Sequence, residues 1–105
     1  MKLNIYAIFD TAAGLYGRPI HAQADAEAIR AFKDIAVNAD HDVGKHPEDY
    51  SIHRLGIYDD NNGNLTDENN ECLMTGLEAV AASRTIDTKQ IDALDESITS
   101  IGGTA

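Results

Sequence analysis

Cysteine is almost absent from this 105-residue chain, and the single Cys72 excludes an intramolecular disulfide and with it the secreted scaffolds that depend on crosslinks. Tryptophan is missing, and four Tyr and two Phe leave the core mainly to Ile, Leu, Val and Ala. No stretch approaches the roughly 20 apolar residues that a membrane-spanning helix needs. The opening MKLNIYAIFD is too short and too charged for a signal peptide, so no membrane association and a reducing cytoplasm are expected. Cations are scarce as well: eight Lys and Arg stand against 18 Asp and Glu, a net charge of −10. Sequence-independent binding to nucleic acid relies on cations that neutralise phosphates, so any DNA contact must come from a local patch.

What is present suits one domain, since a chain of this length buries roughly two-thirds of its unfolded surface. Lys2 to Asp10 alternates, with Leu3, Ile5, Ala7 and Phe9 on one face and Tyr6 and Ile8 on the other, and reads as a central strand. Thr11 to Gly14 is a turn. Leu15 to Gln23 resumes extended, with Pro19 pointing to an edge or a bulge because it lacks a ladder donor. Asp25 is the expected N-cap of a helix to about Val37, whose Ile29, Phe32 and Ala36 recur on one face beside Ala28 and Ile35. Residues 38–49 carry no apolar period and read as a loop of about twelve residues.

Tyr50 to Asp59 is a second strong strand, with Ile52 on one face, Leu55 and Ile57 on the other, and Gly56 marking a bulge or a close backbone approach. Asp59 to Asn64 contains Asn62-Gly63, the pair suited to a type I′ hairpin turn, and a short strand returns near Leu65. Cys72 to Ala81 fits either a short strand or one helix face. Asp87 and Gln90 form a plausible capping box for an amphipathic helix over about 88–101 with Ile91, Leu94, Ile98 and Ile101 on one side. The expected fold is α+β: a small antiparallel sheet with a ββαβ(β) core packed on one helix, plus a C-terminal amphipathic helix. One domain spans 1–105, with a core over 1–66 and an acidic extension over 67–105. Residues 59–105 carry ten acidic and two basic side chains, against eight and six in residues 1–58.

Few residues point to chemistry. Counted as a calcium loop from Asp59, Gly63 and Glu71 each miss their required position by one residue, so the hairpin turn is the better reading. His21, His41, His46 and His53 with Cys72 lack zinc-ligand spacing, and neither a metal nor another cofactor is expected. Gly44-Lys45-His46-Pro47-Glu48-Asp49-Tyr50 concentrates a cation, an imidazole and two carboxylates, but no nucleophile elbow or phosphate loop accompanies it. A non-enzymatic binding surface is expected instead. Tyr6, Phe9, Tyr16, Tyr50 and Tyr58 cluster in the strands, and single-stranded DNA proteins stack bases on sheet aromatics beside a basic groove. The blander account makes these aromatics ordinary strand residues and Phe9 simply core.

Four segments, Lys2 to Asp10, Ala28 to Phe32, Gly44 to Tyr50 and Arg54 to Asp59, occur in the order and at the spacing of a known family. Over about residues 1–66 the chain resembles the small nonstructural protein of gokushovirus-type Microviridae, tailless phages with circular single-stranded DNA. The resemblance implies a protein of the host cytoplasm that acts in DNA replication or DNA packaging, described in part as binding single-stranded DNA. It supplies no catalytic residues. The residues expected to face DNA are Tyr6, Tyr16, Arg18, Lys45, His46 and Arg54, with viral single-stranded DNA or the replication complex as partner. The alternative is an acidic interaction module or a homodimer formed through the C-terminal helix, binding a host or viral protein and not DNA.

Overall fold

The computed structural model describes residues 1–83. Five strands form one antiparallel sheet: β1 (Lys2–Asp10), β2 (Leu15–Tyr16), β3 (Ile20–Ala22), β4 (Tyr50–Asp59) and β5 (Asn64–Thr75). β1 pairs with β2 and β3 along one side and with β4 along the other, and β4 pairs with β5. The α+β class and the central place of β1 follow the alternation in its sequence.

Helices α1 (Asp25–Ala36), α2 (Asp42–Lys45) and α3 (residues 76–83) cover one side of this sheet. Ala28, Phe32 and Ala36 of α1, Val43 of α2 and Ala79 of α3 share one buried cluster with Tyr6 of β1 and Ile52 of β4. Spacing of four residues puts Ala28, Phe32 and Ala36 on one helical stripe. Burying a side chain the size of Phe32 contributes about 1.5–3 kcal/mol, so this stripe fixes α1 on the sheet.

Several expectations change. The extended run 15–23 is two short strands, because Gly17, Arg18 and Pro19 interrupt the ladder while Gly17 N–H still donates to Ile8 O (2.8 Å). Ala24, not Asp25, occupies the N-cap, and no side chain caps that end. The stretch 38–49 is not a bare loop. His41 Nδ1 accepts from Val43 N–H (3.1 Å) and caps α2, and Pro47–Asp49 forms a single 3₁₀ turn leading into β4. Leu55 is the extra residue of a bulge opposite Ile5 and Tyr6, so Ile57 returns to the face of Ile52 instead of lying opposite it. Gly56 is required there, since a Cβ would sit 2.5 Å from Thr66 O.

The β4–β5 turn is not type I′ either. Only Gly63 has positive φ (75°), and the same construction closes β1–β2 with Gly14 (φ 69°). In both, an Asp accepts from the glycine N–H four residues on at 2.8 Å (Asp10 O from Gly14, Asp59 O from Gly63), and its Oδ1 accepts from the N–H two residues on. A four-residue loop with one left-handed residue needs a single glycine, where a type I′ turn needs two permissive positions.

β5 is far longer than the short strand expected near Leu65, and it runs through residues 67–75. The ambiguity over Cys72 to Ala81 resolves as strand, then helix. Glu78 N–H donates to Thr75 Oγ1 and Thr75 N–H to Glu78 Oε1, both at 3.1 Å, a reciprocal capping box that starts α3. The buried core thus continues past residue 66 to Ala79. The helix expected over 88–101, with its capping box at Asp87 and Gln90, lies outside the described residues.

Candidate functional site

The two sheet faces are built from different chemistry. Register places Asn4, Tyr6, Ile8, Ile52, Arg54, Glu71 and Met74 on the helix-covered side. Tyr6 is fully buried, and its hydroxyl donates to Asp25 Oδ1 at 2.7 Å while accepting from Asn4 Nδ2 at 3.1 Å. Burial first, and the hydrogen bond to Asp25 second, push its phenol pKa up to about 12. Arg54 pairs with both Asp25 and Glu71. Asp25 therefore serves as the acceptor that ties the start of α1 to the sheet, which is why it caps nothing.

This arrangement corrects two of the expected DNA-facing residues. Tyr6 has no exposed ring on which a base could stack, because alternation gives β1 two faces and α1 covers the one that holds Tyr6. Arg54 has its charge matched by two carboxylates, so turning it to a phosphate would break two ion pairs to form one contact.

The opposite face carries Leu3, Ile5, Ala7, Phe9, Tyr16, His21, Ser51, His53, Tyr58 and Cys72 by register, and no described helix packs on it. At one end Tyr16 lies against Phe9 (ring centroids 4.6 Å) and edge-on to His53 (5.6 Å), with Phe9 and His53 6.0 Å apart. A hydrogen-bonded chain fixes the set. Ser51 Oγ meets His53 Nε2 at 2.8 Å, His53 Nδ1 meets Asn70 Oδ1 at 2.8 Å, and Asn70 Nδ2 donates to Tyr16 Oη at 2.7 Å. An amide oxygen only accepts, so the neutral imidazole carries its proton on Nδ1 and receives the Ser51 hydroxyl proton at Nε2. The order Ser, His, Asn matches a hydrolytic triad, yet Ser51 is only 8% exposed and the chain ends on a tyrosine, not on a substrate cleft. Its evident work is to hold Tyr16, 44% exposed, at a fixed angle on the sheet.

Of the six expected residues, Tyr16, Arg18, Lys45 and His46 are exposed. Tyr16 and α2 border a common groove of about 330 Å³, lined by Ile8, Leu15, Tyr16, His41, Val43 and Tyr50 among others. Burial, followed by the charges of Asp10, Asp42 and Asp49, raises the phenol pKa of Tyr50. The β1–β2 turn is fastened to the 3₁₀ turn through Thr11 N–H to Asp49 O (2.8 Å). The remaining described cations are dispersed: Lys2 begins β1 opposite Asp59, and Arg30 and Lys33 are on α1. His46, Glu48 and Asp49 place ligand atoms within 4.8 Å of one another, the one such group among the described residues, with His46 and Glu48 exposed and already paired at 3.6 Å.

The six expected DNA-facing residues do not include Phe9, which the sequence marks only as one of the strand aromatics, nor His53 and Asn70. The signal was the shared parity of Phe9, Tyr16, Ser51 and His53, but which parity the helices leave uncovered is not written in any one strand.

The family model described as Phage ORF5 protein matches residues 3–79. The chain belongs to this phage protein family. No curated protein and no solved structure matches it. The Phage ORF5 protein match runs from the first residues of β1 to the buried Ala79 of α3, so both sheet faces lie within the family region.

Proposed function

We propose that this phage protein is a non-enzymatic binding module of the host cytoplasm that acts in replication or packaging of a microvirus single-stranded DNA genome. In this reading it contacts single-stranded nucleic acid through the uncovered sheet face. The observation that carries it is the fixed Phe9–Tyr16–His53 cluster on a sheet face that no described helix covers. Bases of any sequence stack on such rings, and the exposed Arg18, on the edge segment between β2 and β3, meets the backbone. The resemblance over residues 1–66 supplies the biological setting.

A second reading has its own support. Register places no Lys or Arg on the uncovered face, while Asp67 of β5 stands on it opposite Gly56. A face of that charge favours a protein partner of the replication complex over a polyanion. A fluorescence anisotropy titration of a labelled single-stranded oligonucleotide at stepped NaCl separates the two. Affinity that falls with salt and drops in Tyr16→Ala supports DNA contact, whereas no binding even at low salt rules it out and leaves the protein partner.

A further inference from the structure

The groove between the β1–β2 hairpin and α2 differs in chemistry from the open face. Ile8, Leu15, Val43 and Tyr50 form its apolar lining, Asp10 and Asp42 its charged part, and no Lys or Arg lines it. Register puts Ile8, Leu15 and Tyr50 on the side of Tyr6 and Ile52, so these residues face away from the side that carries Phe9 and His53. His41, at the same groove, accepts Val43 N–H at Nδ1 and therefore holds its proton on Nε2, so its imidazole adds no positive charge. The negative charge is uncompensated. Asp42 is exposed, and among the described residues its carboxylate makes no hydrogen bond or ion pair. Asp10 spends Oδ1 on the N–H groups of Ala12 and Ala13, which leaves Oδ2 to a partner. Leu15, 67% exposed, keeps one wall open to solvent.

We infer that this groove takes an arginine side chain from a basic segment of a protein partner. Charge complementarity selects that occupant. The carboxylates repel a phosphate, and an aliphatic side chain would cover them without supplying a counter-charge. Arginine supplies both parts: a stem that lies along Ile8 and Val43, and a planar cation that stacks on the Tyr50 ring and reaches the Asp10 and Asp42 carboxylates. A lysine ammonium has no planar face to lay on a tyrosine. A volume of about 330 Å³ suits one side chain, and the exposed rim lets Asp42 be neutralised without leaving water altogether. The charges of Asp10, Asp42 and Asp49 that act on the Tyr50 phenol are the field the cation would enter. The apolar lining lies on the helix side of the sheet, so the inference rests on neither reading of the open face.

The probe is a short peptide, acetyl-Ala-Leu-Arg-Leu-Ala-amide, titrated at low salt into the isotope-labelled full chain, beside the same peptide with neutral citrulline in place of arginine. NMR signals of Ile8, Val43 and Tyr50 are expected to move with the arginine peptide, at an affinity about tenfold or more above that of the citrulline peptide. Asp42→Asn should weaken arginine-peptide binding by about fivefold. Glu48→Gln removes the same charge from a residue outside the groove and should leave binding unchanged. No binding, equal affinity for the two peptides, equal losses in the two variants, or shifts centred on Phe9 and His53 overturn the proposal. So do groove signals that move when the protein alone is diluted, because the occupant is then a second copy.

Discussion

Tyr6 and Tyr16 sit ten residues apart on adjoining elements of one sheet, and the two faces they occupy divide the labour of the molecule. On the covered face, Tyr6, Asp25, Arg54 and Glu71 spend their polar groups on one another beneath α1. On the open face, Tyr16 is held by Asn70, Phe9 and His53 with its ring still in solvent. Side-chain chemistry alone does not tell the buried tyrosine from the exposed one; the layer above the sheet does.

Substitutions on the two faces should separate stability from binding. The largest loss is expected on the covered side, where Phe32→Ala empties the centre of the cluster and should lower unfolding free energy by about 3–5 kcal/mol in a urea titration. Tyr6→Phe removes the hydroxyl from Asp25 and should cost about 1–3 kcal/mol. The same tyrosine sets an alkaline limit. Its folded pKa lies above the unfolded value, so its contribution is complete below pH 10 and is lost as pH rises toward 12. Two pKa units correspond to about 2.7 kcal/mol, and Tyr6→Phe should flatten the fall in stability over that window. Equal slopes for the two proteins would place the proton elsewhere.

Gly63→Ala tests a feature that belongs to neither face. A Cβ there meets nothing within 4 Å, so the positive φ alone should cost about 1 kcal/mol, visible as a small drop in thermal midpoint. Tyr16→Ala should change stability least, by about 1 kcal/mol or less, because its contacts with Phe9 and His53 and the hydrogen bond from Asn70 are all made at an exposed position. Its oligonucleotide affinity should nevertheless fall by about tenfold or more.

Much of the fold was legible because the strongest patterns were local. The alternation of β1, the Phe32 stripe of α1 and the glycine that marks a bulge at Gly56 are each read within one element, whereas the face of Ile57 is reset by the extra residue Leu55. What escaped depended on partners. β5 reads as polar because it has only β4 beside it and exposes most of Asn64 to Cys72, so no apolar alternation marks it. The start of α3 escaped as well, although Thr75-Gly76-Leu77-Glu78 has a capping-box spacing next to an apolar run. Asp25 has the composition of an N-cap, but two donors from the sheet, Tyr6 and Arg54, claim its carboxylate. For the site, sequence identified Tyr16, Arg18, Lys45 and His46 as surface residues, yet not which side of β1 the helices would close over.

The most direct test of a divided sheet is residue-resolved: NMR shifts of the full chain titrated with a short single-stranded oligonucleotide at low salt. The account predicts changes concentrated on Phe9, Tyr16, His53 and Asn70, with Tyr6, Ala28 and Phe32 still. Changes centred on α1, or none at saturating oligonucleotide, would contradict it.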